Sequence, residues 1–469
     1  MTRLAYNAIL ATDSYKLSHP YSYSPAMKGQ FSYGEARVKG QKILVAGIRM
    51  LLTKFFRKAI TQYDIDEAAH FAELHGEPFK REAWEKIVTH YNGALPVTIR
   101  AVPEGTVIPS SMPIYSIECD DEDLAWLPSH LETMFQRGIW YPTTIASNDY
   151  YIKNVIRNYY IKTGVPVEAA DFALHDFGGR GVTCAEQAEI GGFAHLINFK
   201  GSDTIEGVRA ANFYYDCQMA AFSVPATEHS VQCSFSIDDD TGSGDLEYLR
   251  HQIKTLAKPG GIVSIVIDGF DTFRASGYLC NELKADIIAS GAKVVFRPDS
   301  GDMFEIVPRL LDMQAEAFGF TINEKGYKVI NNVGIIQGDG VNNEAIEKLL
   351  KIVVDKGFAA NSVVFGSGGA LLQKVNRDTY KFAQKASAIL VDGKWVGISK
   401  NPVTDPGKMS KKGRVTTLRS KLTGEYMVGY VDNEADRSDE WEDVMKLVYR
   451  NGIVSCNDTL DEIRERAAK

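Results

Sequence analysis

One pattern recurs through the middle of the chain: a short apolar run ends in Gly, Asp, Arg or His, and a segment of helix length follows. The clearest copy is KVVFRPDSGD, residues 293 to 302, where three apolar residues lead directly into a polar cluster. The other copies are HDFGGRG, FKGSDT, SVPATEHS, IVIDGFD, VGIIQGDG and SVVFGSGG. Continuous apolar strands that alternate with helices predict a parallel sheet covered on both faces, either a barrel or a doubly wound sheet.

The spacing of the copies supports a repeated βα unit. Asp268 and Arg297 lie 29 residues apart, as do Gln337 and Gly366, about the length of one such unit. The clearest helix is EAIEKLLKIVVDKG, which keeps its apolar residues on one face and stops at Gly357. We therefore predict an α/β fold in which residues 151–378 form an irregular, TIM-like parallel barrel of about seven strands.

Both ends of the chain differ from the middle. Residues 1–150 mix helical stretches with short strand-like pieces, and residues 379–469 carry hairpin signals at Asp392-Gly393 and Thr423-Gly424. We expect residues 1–150 and 379–469 to form one α+β domain that flanks the barrel domain.

Charge and cysteine content limit the partners and the compartment. The net charge of −8 argues against a nucleic-acid or membrane-surface binder, because such proteins need a broad basic field. The six cysteines form no CxxC pair, and no secretory segment follows MTRLAYN. Apolar runs such as GIVSIVI are too short to span a bilayer. We expect a cytoplasmic protein that binds neither nucleic acid nor membranes and holds anionic ligands with locally gathered Lys and Arg.

The strand ends carry the chemistry, because in a parallel barrel they meet at the rim where active sites lie. Carboxylates suit ribose hydroxyls or Mg²⁺, and Arg and glycine amides suit phosphates. The candidates are Phe177, Arg180, Asp203, His229, Arg297, Asp299, Gly338, Asp339, Gly368 and Gly369, with Arg377 shortly after. Each could alone be a solvated turn or a packed side chain, but together they predict a phosphorylated sugar with a flat ring nearby.

The order of the motifs adds a resemblance. ATDSYKLSHP, HDFGGRG, GSDT, SVPATEHS, RPDSGD, IQGDG, FGSGGALLQK and DPGKMSKKGR resemble the nicotinamide phosphoribosyltransferase family over nearly the whole chain. The resemblance implies a type II phosphoribosyltransferase fold and a homodimer with shared active sites. It implies that nicotinamide and phosphoribosyl pyrophosphate, with Mg²⁺, give nicotinamide mononucleotide and pyrophosphate in NAD salvage, with ATP as co-substrate through a phosphohistidine.

The resemblance also implies residue roles. Phe177 and Tyr15 of the partner subunit would sandwich the pyridine ring, and Asp203 would accept from the carboxamide. The other implied roles are Arg180 and Arg297 beside the ring; Asp271, Asp299, Gly338 and Asp339 at the ribose; Gly368, Gly369 and Arg377 at the 5′-phosphate; and His229 as the phosphorylated histidine. Arg37, Lys385 and Lys400, some of them from the partner subunit, would face the diphosphate or the phosphate of the phosphohistidine. Catalysis would rest on His229, Arg297 and Asp299, and the metal ligands stay open.

Two residues depart from the family pattern, and three alternative functions remain. Gly179 stands where relatives often carry Tyr, and Ile267 stands where a Ser could touch ligand, so fine ligand contacts are open. A nicotinate phosphoribosyltransferase would share the fold, and Asp203 is the residue that discriminates. A phosphosugar aldolase or decarboxylase barrel usually wants a lysine at a strand end, which is not found here. A non-catalytic binding protein would have no reason to keep charge at each strand end.

Overall fold

The structure, a computed structural model, describes residues 6–401, 404 and 409–469. The helices are α1 His19–Ser22, α2 Ile48–Phe55, α3 Gln62–His75, α4 Arg81–Tyr91, α5 Leu127–His130, α6 Glu132–Thr163, α7 Ala185–His195, α8 Ile205–Tyr214, α9 His229–Cys233, α10 Asp245–Leu256, α11 Thr272–Cys280, α12 Lys284–Ser290, α13 Met303–Phe318, α14 Asn343–Asp355, α15 Gly369–Leu372 and α16 Leu460–Ala467.

The strands are β1 Gly29–Glu35, β2 Lys42–Leu44, β3 Thr98–Ala101, β4 Val107–Pro109, β5 Pro113–Cys119, β6 Leu174–Asp176, β7 Gly201–Ser202, β8 Ile262–Val266, β9 Lys293–Arg297, β10 Phe320–Ile322, β11 Lys328–Ile330, β12 Val333–Gln337, β13 Val363–Ser367, β14 Ala383–Val391, β15 Lys394–Gly397, β16 Val415–Ser420, β17 Tyr426–Tyr430, β18 Trp441–Asp443, β19 Lys446–Arg450 and β20 Ile453–Val454.

The chain forms two compact units. We call Asn148–Asn212 with Gln218–Val375 the barrel unit, and Met1–Ser147, Phe213–Cys217 and Asn376–Lys469 the flanking unit.

The barrel unit is built on a parallel sheet with the strand order β7-β6-β13-β12-β9-β8. The segment from Phe222 to Thr227 joins the two edge strands, because Phe222 bridges Gly201 of β7 and Ala226 bridges Ser264 of β8. Both bridges are parallel, so the segment acts as a seventh strand and the sheet curls into a barrel. The prediction of an irregular barrel with about seven strands is confirmed.

The longer barrel strands bury their apolar side chains, and a polar residue after β8, β9 and β12 caps the helix that follows. In β9, Val294, Val295 and Phe296 are buried. After β9, the carboxylate of Asp302 accepts the backbone N–H of Phe304 and caps α13. Part of the polar cluster in KVVFRPDSGD is therefore a helix cap, and Arg297 and Asp299 are left for other roles.

The predicted helix over 344–357 is α14. Its buried residues Ile346, Leu349, Leu350 and Val353 lie on one face. The side chain of Asn342 caps its first turn, and Gly357 follows it with a φ of 81°, a left-handed conformation that suits glycine.

The flanking unit joins both chain ends in one antiparallel sheet of order β15-β14-β1-β5-β3-β19-β20. Strand β1 pairs with β14 on one side and β5 on the other, and β3 pairs with β19. The predicted hairpin turn at Asp392-Gly393 connects β14 to β15, with positive φ at both residues. The expectation of an α+β domain made from both chain ends is confirmed.

Two further observations concern the whole described chain. None of its helices within residues 6–401, 404 and 409–469 is long and apolar enough to cross a membrane. All six cysteines are free, as expected from their spacing.

Candidate active site

The ends of β6 and β7 place Phe177 and Asp203 at one cavity of the barrel unit. The cavity has a volume of about 340 Å³ and is also lined by His175, Ser223 and Arg297. The hydroxyl of Ser223 donates to Oδ1 of Asp203 at 2.5 Å, which leaves the other carboxylate oxygen for a ligand. The structure therefore brings three of the sequence-predicted residues, Phe177, Asp203 and Arg297, together around one space.

The position of Phe177 depends on a glycine of β13. A Cβ built on Gly366 would lie 2.0 Å from Cε2 of Phe177, so the ring occupies the space that any other residue would fill. The backbone N–H of Phe177 donates to the carbonyl of Ser367 at 2.9 Å and fixes the chain beside that glycine. The ring therefore packs against the bare backbone of Gly366.

Arg297 is the last residue of β9, Asp299 follows the strand, and the two form an ion pair of 3.2 Å. Nε of Arg297 is buried and has no hydrogen-bond partner among the described residues, so it is a donor available to a ligand. Burial raises the pKa of Asp299, Asp268 adds to this rise, and Arg297 opposes it. Asp299 also lies against Gly338, since a Cβ at Gly338 would be 2.4 Å from its Oδ1.

His229 begins α9 and lies beside a carboxylate that the sequence analysis did not select. Nε2 of His229 is 2.9 Å from Oδ1 of Asp268. The other oxygen of Asp268 accepts the backbone N–H of Asp299 at 2.9 Å. The strand register indicates that Asp268 and Asp299 are close. Val266 of β8 pairs with Arg297 of β9, so the residues two positions further on, Asp268 and Asp299, are neighbours.

Two glycine-rich turns are adjacent in the barrel unit. Arg180 lies exposed in the short turn Gly179–Gly181. A Cβ at Gly181 would be 3.7 Å from Cα of Gly369, so the turn packs against the start of α15. Gly368 precedes α15. Because neither Gly368 nor Gly369 has a side chain, a ligand can approach the backbone there.

The remaining barrel-unit candidates have local partners. Oδ1 of Asp271 accepts the N–H groups of Phe273 and Arg274 and so caps α11. Asp339 is exposed just past β12, and its carbonyl accepts from the side chain of Gln337 at 3.0 Å. The cap gives Asp271 a structural role, and its ribose-binding role stays a prediction.

The predicted diphosphate cations lie in the flanking unit. Arg37 follows β1 and binds the buried Glu35 at 2.7 Å, and one of its Nη atoms is buried without a partner among the described residues. Lys385 lies in β14 opposite Tyr33. Burial lowers the pKa of Lys385, Glu132 opposes this, and the positive charges of Arg37 and Lys400 act in the same direction as burial. The mutual repulsion of these cations favours an anionic ligand.

Tyr15 and Arg377 also belong to the flanking unit. The Tyr15 ring is 55% exposed, and the buried Lys16 beside it is held by Glu132 at 2.7 Å. Arg377 is exposed, with Asp378 at 3.5 Å. The late motif DPGKMSKKGR falls partly outside the described residues, at positions 405–408.

A resident metal does not fit the protein side chains alone. Among the residues that the structure describes, no group of three or more His, Cys, Asp or Glu side chains is placed to hold a metal ion. A divalent ion would therefore need ligand oxygens from a bound phosphate or diphosphate.

The fold has a solved counterpart. The crystal structure of nicotinate-nucleotide pyrophosphorylase from Pyrococcus furiosus matches 100% of this chain and 97% of its own with a TM-score of 0.64 and 16% identity. At that identity the likeness concerns the fold alone.

Sequence comparison then gives the family. The model of the nicotinate phosphoribosyltransferase (NAPRTase) family matches residues 172–452, and that of the nicotinamide phosphoribosyltransferase N-terminal domain matches residues 7–99. This chain belongs to the nicotinate phosphoribosyltransferase family.

Two relatives are both named nicotinamide phosphoribosyltransferase. A nicotinamide phosphoribosyltransferase of Xanthomonas campestris pv. campestris is 42% identical over 465 residues, which cover 98% of both chains. A nicotinamide phosphoribosyltransferase of Acinetobacter baylyi is 34% identical over 401 residues, 81% of this chain and 77% of the relative.

Proposed function

We propose that this chain transfers the phosphoribosyl group of phosphoribosyl pyrophosphate to nicotinamide, giving nicotinamide mononucleotide and pyrophosphate for NAD salvage. The observation that carries the proposal is the cavity shared by Phe177, Asp203 and Arg297. Near-complete coverage by a relative named nicotinamide phosphoribosyltransferase supports it.

The cavity suits a pyridine ring that bears a carboxamide. Phe177 offers a flat apolar face, and the free carboxylate oxygen of Asp203 can accept the amide N–H₂. The buried Nε of Arg297 can donate to the carboxamide oxygen. These three groups leave the ring nitrogen free to attack the sugar.

The charges at the site suit the bond that breaks. When the bond between C1 of the ribose and the diphosphate oxygen lengthens, positive charge develops on the sugar ring and negative charge on the diphosphate. Asp299 supplies a carboxylate for the sugar side, and its ion pair with Arg297 keeps it oriented. Arg37, Lys385 and Lys400, some of them from the partner subunit, would supply cations for the leaving diphosphate. Since nicotinamide is a weak nucleophile, positioning and charge stabilisation provide most of the rate gain.

Mg²⁺ belongs to this proposal as a companion of the diphosphate. It would neutralise charge on the diphosphate oxygens. Because the described side chains offer no complete metal site, the ion would enter and leave with the substrate and product.

ATP enters the proposal through His229. The Asp268 carboxylate binds Nε2, and Nδ1 has no partner among the described residues, so Nδ1 is open to a phosphoryl group. The γ-phosphoryl group of ATP would pass to the ring nitrogen with release of ADP, and hydrolysis of the phosphohistidine would pull the reaction toward product. His229 is 47% exposed, which allows ATP to reach it.

We also propose a homodimer in which Tyr15 of the partner subunit covers the pyridine ring on the face opposite Phe177. The exposed ring of Tyr15, held in place by the Lys16 and Glu132 pair, supports this. A cytoplasmic location agrees with six free cysteines.

The second candidate is nicotinate as the substrate, since the cavity also holds Arg297, which could pair with a carboxylate. Asp203 argues against it, because nicotinate would bring a second negative charge next to its carboxylate. We expect nicotinate to be used at least about a hundredfold less efficiently than nicotinamide, a difference of roughly 2.7 kcal/mol.

The test is a product assay with the purified chain, phosphoribosyl pyrophosphate, Mg²⁺ and ATP, offering either pyridine. Asp203→Asn keeps the shape and removes the charge, so it should narrow the gap between the two substrates at an unchanged melting temperature. Ser223→Ala is the matched control, because it removes the hydrogen bond to Asp203 but keeps the charge and therefore the preference. Equal use of both substrates by the wild type, or an unchanged ratio in Asp203→Asn, would reject nicotinamide selection by Asp203.

A further inference from the structure

We propose that Asp176 is a positioning residue that fixes Phe177 and Asp203 relative to each other and thereby sets the affinity for the pyridine substrate. The inference rests on the proposed function, because it takes Phe177 and Asp203 as the two sides of the pyridine site.

Asp176 contacts the chain on both sides of the cavity. It is the last residue of β6 and is fully buried. Its Oδ1 accepts the backbone N–H of Gly178 at 2.7 Å, which closes the turn that presents Phe177. Its backbone carbonyl accepts the N–H of Asp203 at 2.9 Å. One residue therefore ties both sides of the pyridine site to β6.

A buried ion pair between His195 and Asp149 contacts the neighbouring strand β7. Nδ1 of His195 lies 2.7 Å from Oδ2 of Asp149, and both side chains are at most 1% exposed. Nε2 of His195 donates to the carbonyl of Gly201 in β7, at 3.1 Å. Since a carbonyl can only accept, Nε2 carries a proton and the remaining proton lies between Nδ1 and the Asp149 carboxylate. The pair therefore holds β7 next to β6.

The charge of His195 also explains how a buried carboxylate persists at position 176. Burial raises the pKa of Asp176, and His195 is the largest influence in the opposite direction. The Gly178 N–H lowers it further. Burying a carboxylate is costly, and an apolar residue could end a barrel strand at lower cost. We therefore attribute the carboxylate at position 176 to its hydrogen bond with the Gly178 N–H, which closes the turn.

The experiment compares Asp176→Ala with Asp176→Asn. Alanine removes the acceptor for the Gly178 N–H, whereas the Asn side-chain oxygen retains it. Asp176→Ala should raise KM for nicotinamide about tenfold and leave KM for phosphoribosyl pyrophosphate within about twofold. Asp176→Asn should stay within about threefold of the wild type for both.

A second measurement does not depend on activity. Hydrogen exchange of the backbone amides at 178–179 should be about tenfold faster in Asp176→Ala and close to wild type in Asp176→Asn. If Asp176→Ala does not fold, Asp176→Leu replaces it, because its branched side chain keeps the shape of Asp but offers no acceptor for the Gly178 N–H.

The matched control is Asp245→Asn. Asp245 is equally buried in the same unit and binds Gln232 and Arg274, at 2.9 and 3.0 Å, away from the turn that presents Phe177. It should lower the melting temperature without a change in KM that is confined to nicotinamide.

The possible results of these experiments distinguish the role of Asp176 from the proposed function. Unchanged exchange in Asp176→Ala, equal rises in KM for both substrates, or an Asn variant as weak as the Ala variant would overturn the role of Asp176. A wild-type chain that makes no product from nicotinamide would instead overturn the proposed function, and the exchange measurement would still decide whether Asp176 holds the turn.

Discussion

His229 and Asp268 form a hydrogen-bonded pair at 2.9 Å, in which an exposed imidazole contacts a buried carboxylate. The same carboxylate holds the backbone N–H of Asp299 through its second oxygen. One side chain thus connects the proposed phosphorylation site to the residue proposed to face the ribose.

Asp268→Asn should lower both product formation and ATP-dependent phosphorylation of His229. Both partners of Asp268 are donors, so an amide can accept from only one of them. Loss of one charge-assisted bond and misdirection of the other should reduce kcat/KM about a hundredfold. Steady-state kinetics and acid-labile phosphate on the protein measure the two effects.

Asp302→Asn is the matched control for Asp268→Asn. Asp302 caps α13 through its side chain, and Asn caps equally well, so kinetics should change less than about twofold. Wild-type phosphorylation in Asp268→Asn would show that the pair does not prepare His229.

Gly366→Ala and Gly338→Ala should impair the use of different substrates. A Cβ at Gly366 would push the Phe177 ring out of its place, so KM for nicotinamide should rise at least about tenfold. A Cβ at Gly338 would instead displace the Asp299 carboxylate, so KM for phosphoribosyl pyrophosphate or kcat should suffer. Steady-state kinetics with each substrate varied in turn measures both.

Gly277→Ala in α11 is the control for both glycine variants, since nothing lies within 4 Å of its added Cβ. It should leave the kinetics unchanged and, within a helix, raise the melting temperature slightly. Identical kinetic defects in Gly366→Ala and Gly338→Ala would argue against separate pyridine and ribose contacts.

His130 should make the flanking unit sensitive to acid. Its ring is fully buried, packs edge-on against Trp84 with centroids 5.1 Å apart, and contacts the carbonyl of Ile9 at 2.9 Å. Burial lowers the pKa of His130 from 6.5 to about 4. The depressed pKa means that the neutral form is favoured in the folded state, so stability is complete above pH 6.5 and falls between pH 6.5 and 4. The loss should reach about 3 kcal/mol.

His130→Gln tests this pH dependence, because Gln keeps a donor for Ile9 and cannot titrate. The variant should melt below the wild type at pH 7.5, and the difference should shrink toward pH 5. A difference that grows as the pH falls would contradict a neutral buried His130.

Hybrid dimers should recover activity only when the two mutations belong to opposite sides of the shared site. Tyr15→Ala and Phe177→Ala chains, each inactive alone, should give about a quarter of wild-type activity after mixing. Half of the dimers are then hybrids, and each hybrid has one intact site. A Phe177→Ala and Asp203→Ala mixture is the control and should stay inactive, because both residues line one cavity of one chain.

If the mixed Tyr15→Ala and Phe177→Ala dimers form and remain inactive, each site is built from a single chain. Size-exclusion chromatography with one tagged protomer verifies that hybrids are present.

Local sequence pattern was enough to predict the barrel. Its strands are buried on both faces, so they read as continuous apolar runs, and α14 carries both its cap and its stop in the sequence. The strand ends indicated Phe177, Asp203 and Arg297 for the same reason, since parallel strands end at one rim.

The features that sequence analysis missed depend mostly on contacts between residues that are far apart in the chain. Asp268 was missed because its importance comes from pairing with His229 and Asp299, 39 and 31 positions away. The buried residues Asp149, His195 and Asp176 come from helices α6 and α7 and from the end of β6, which no local pattern relates. The short hairpin β10–β11 was also missed, because strands of three residues are too short to show a clear alternating pattern.

The sheet shared by both chain ends affects how the protein is made. Strands β1, β3 and β5 leave the ribosome first, and the outer edges of β1 and β3 stay unpaired until β14 and β19 are synthesised. The continuous stretch Gln218–Val375 of the barrel unit emerges in between and needs no later residue for its strands. Unpaired strand edges are sites of aggregation, so the nascent chain is most vulnerable during that interval. While a ribosome pauses before β14, the nascent chain therefore carries a complete set of barrel strands and a flanking sheet that still lacks its C-terminal strands.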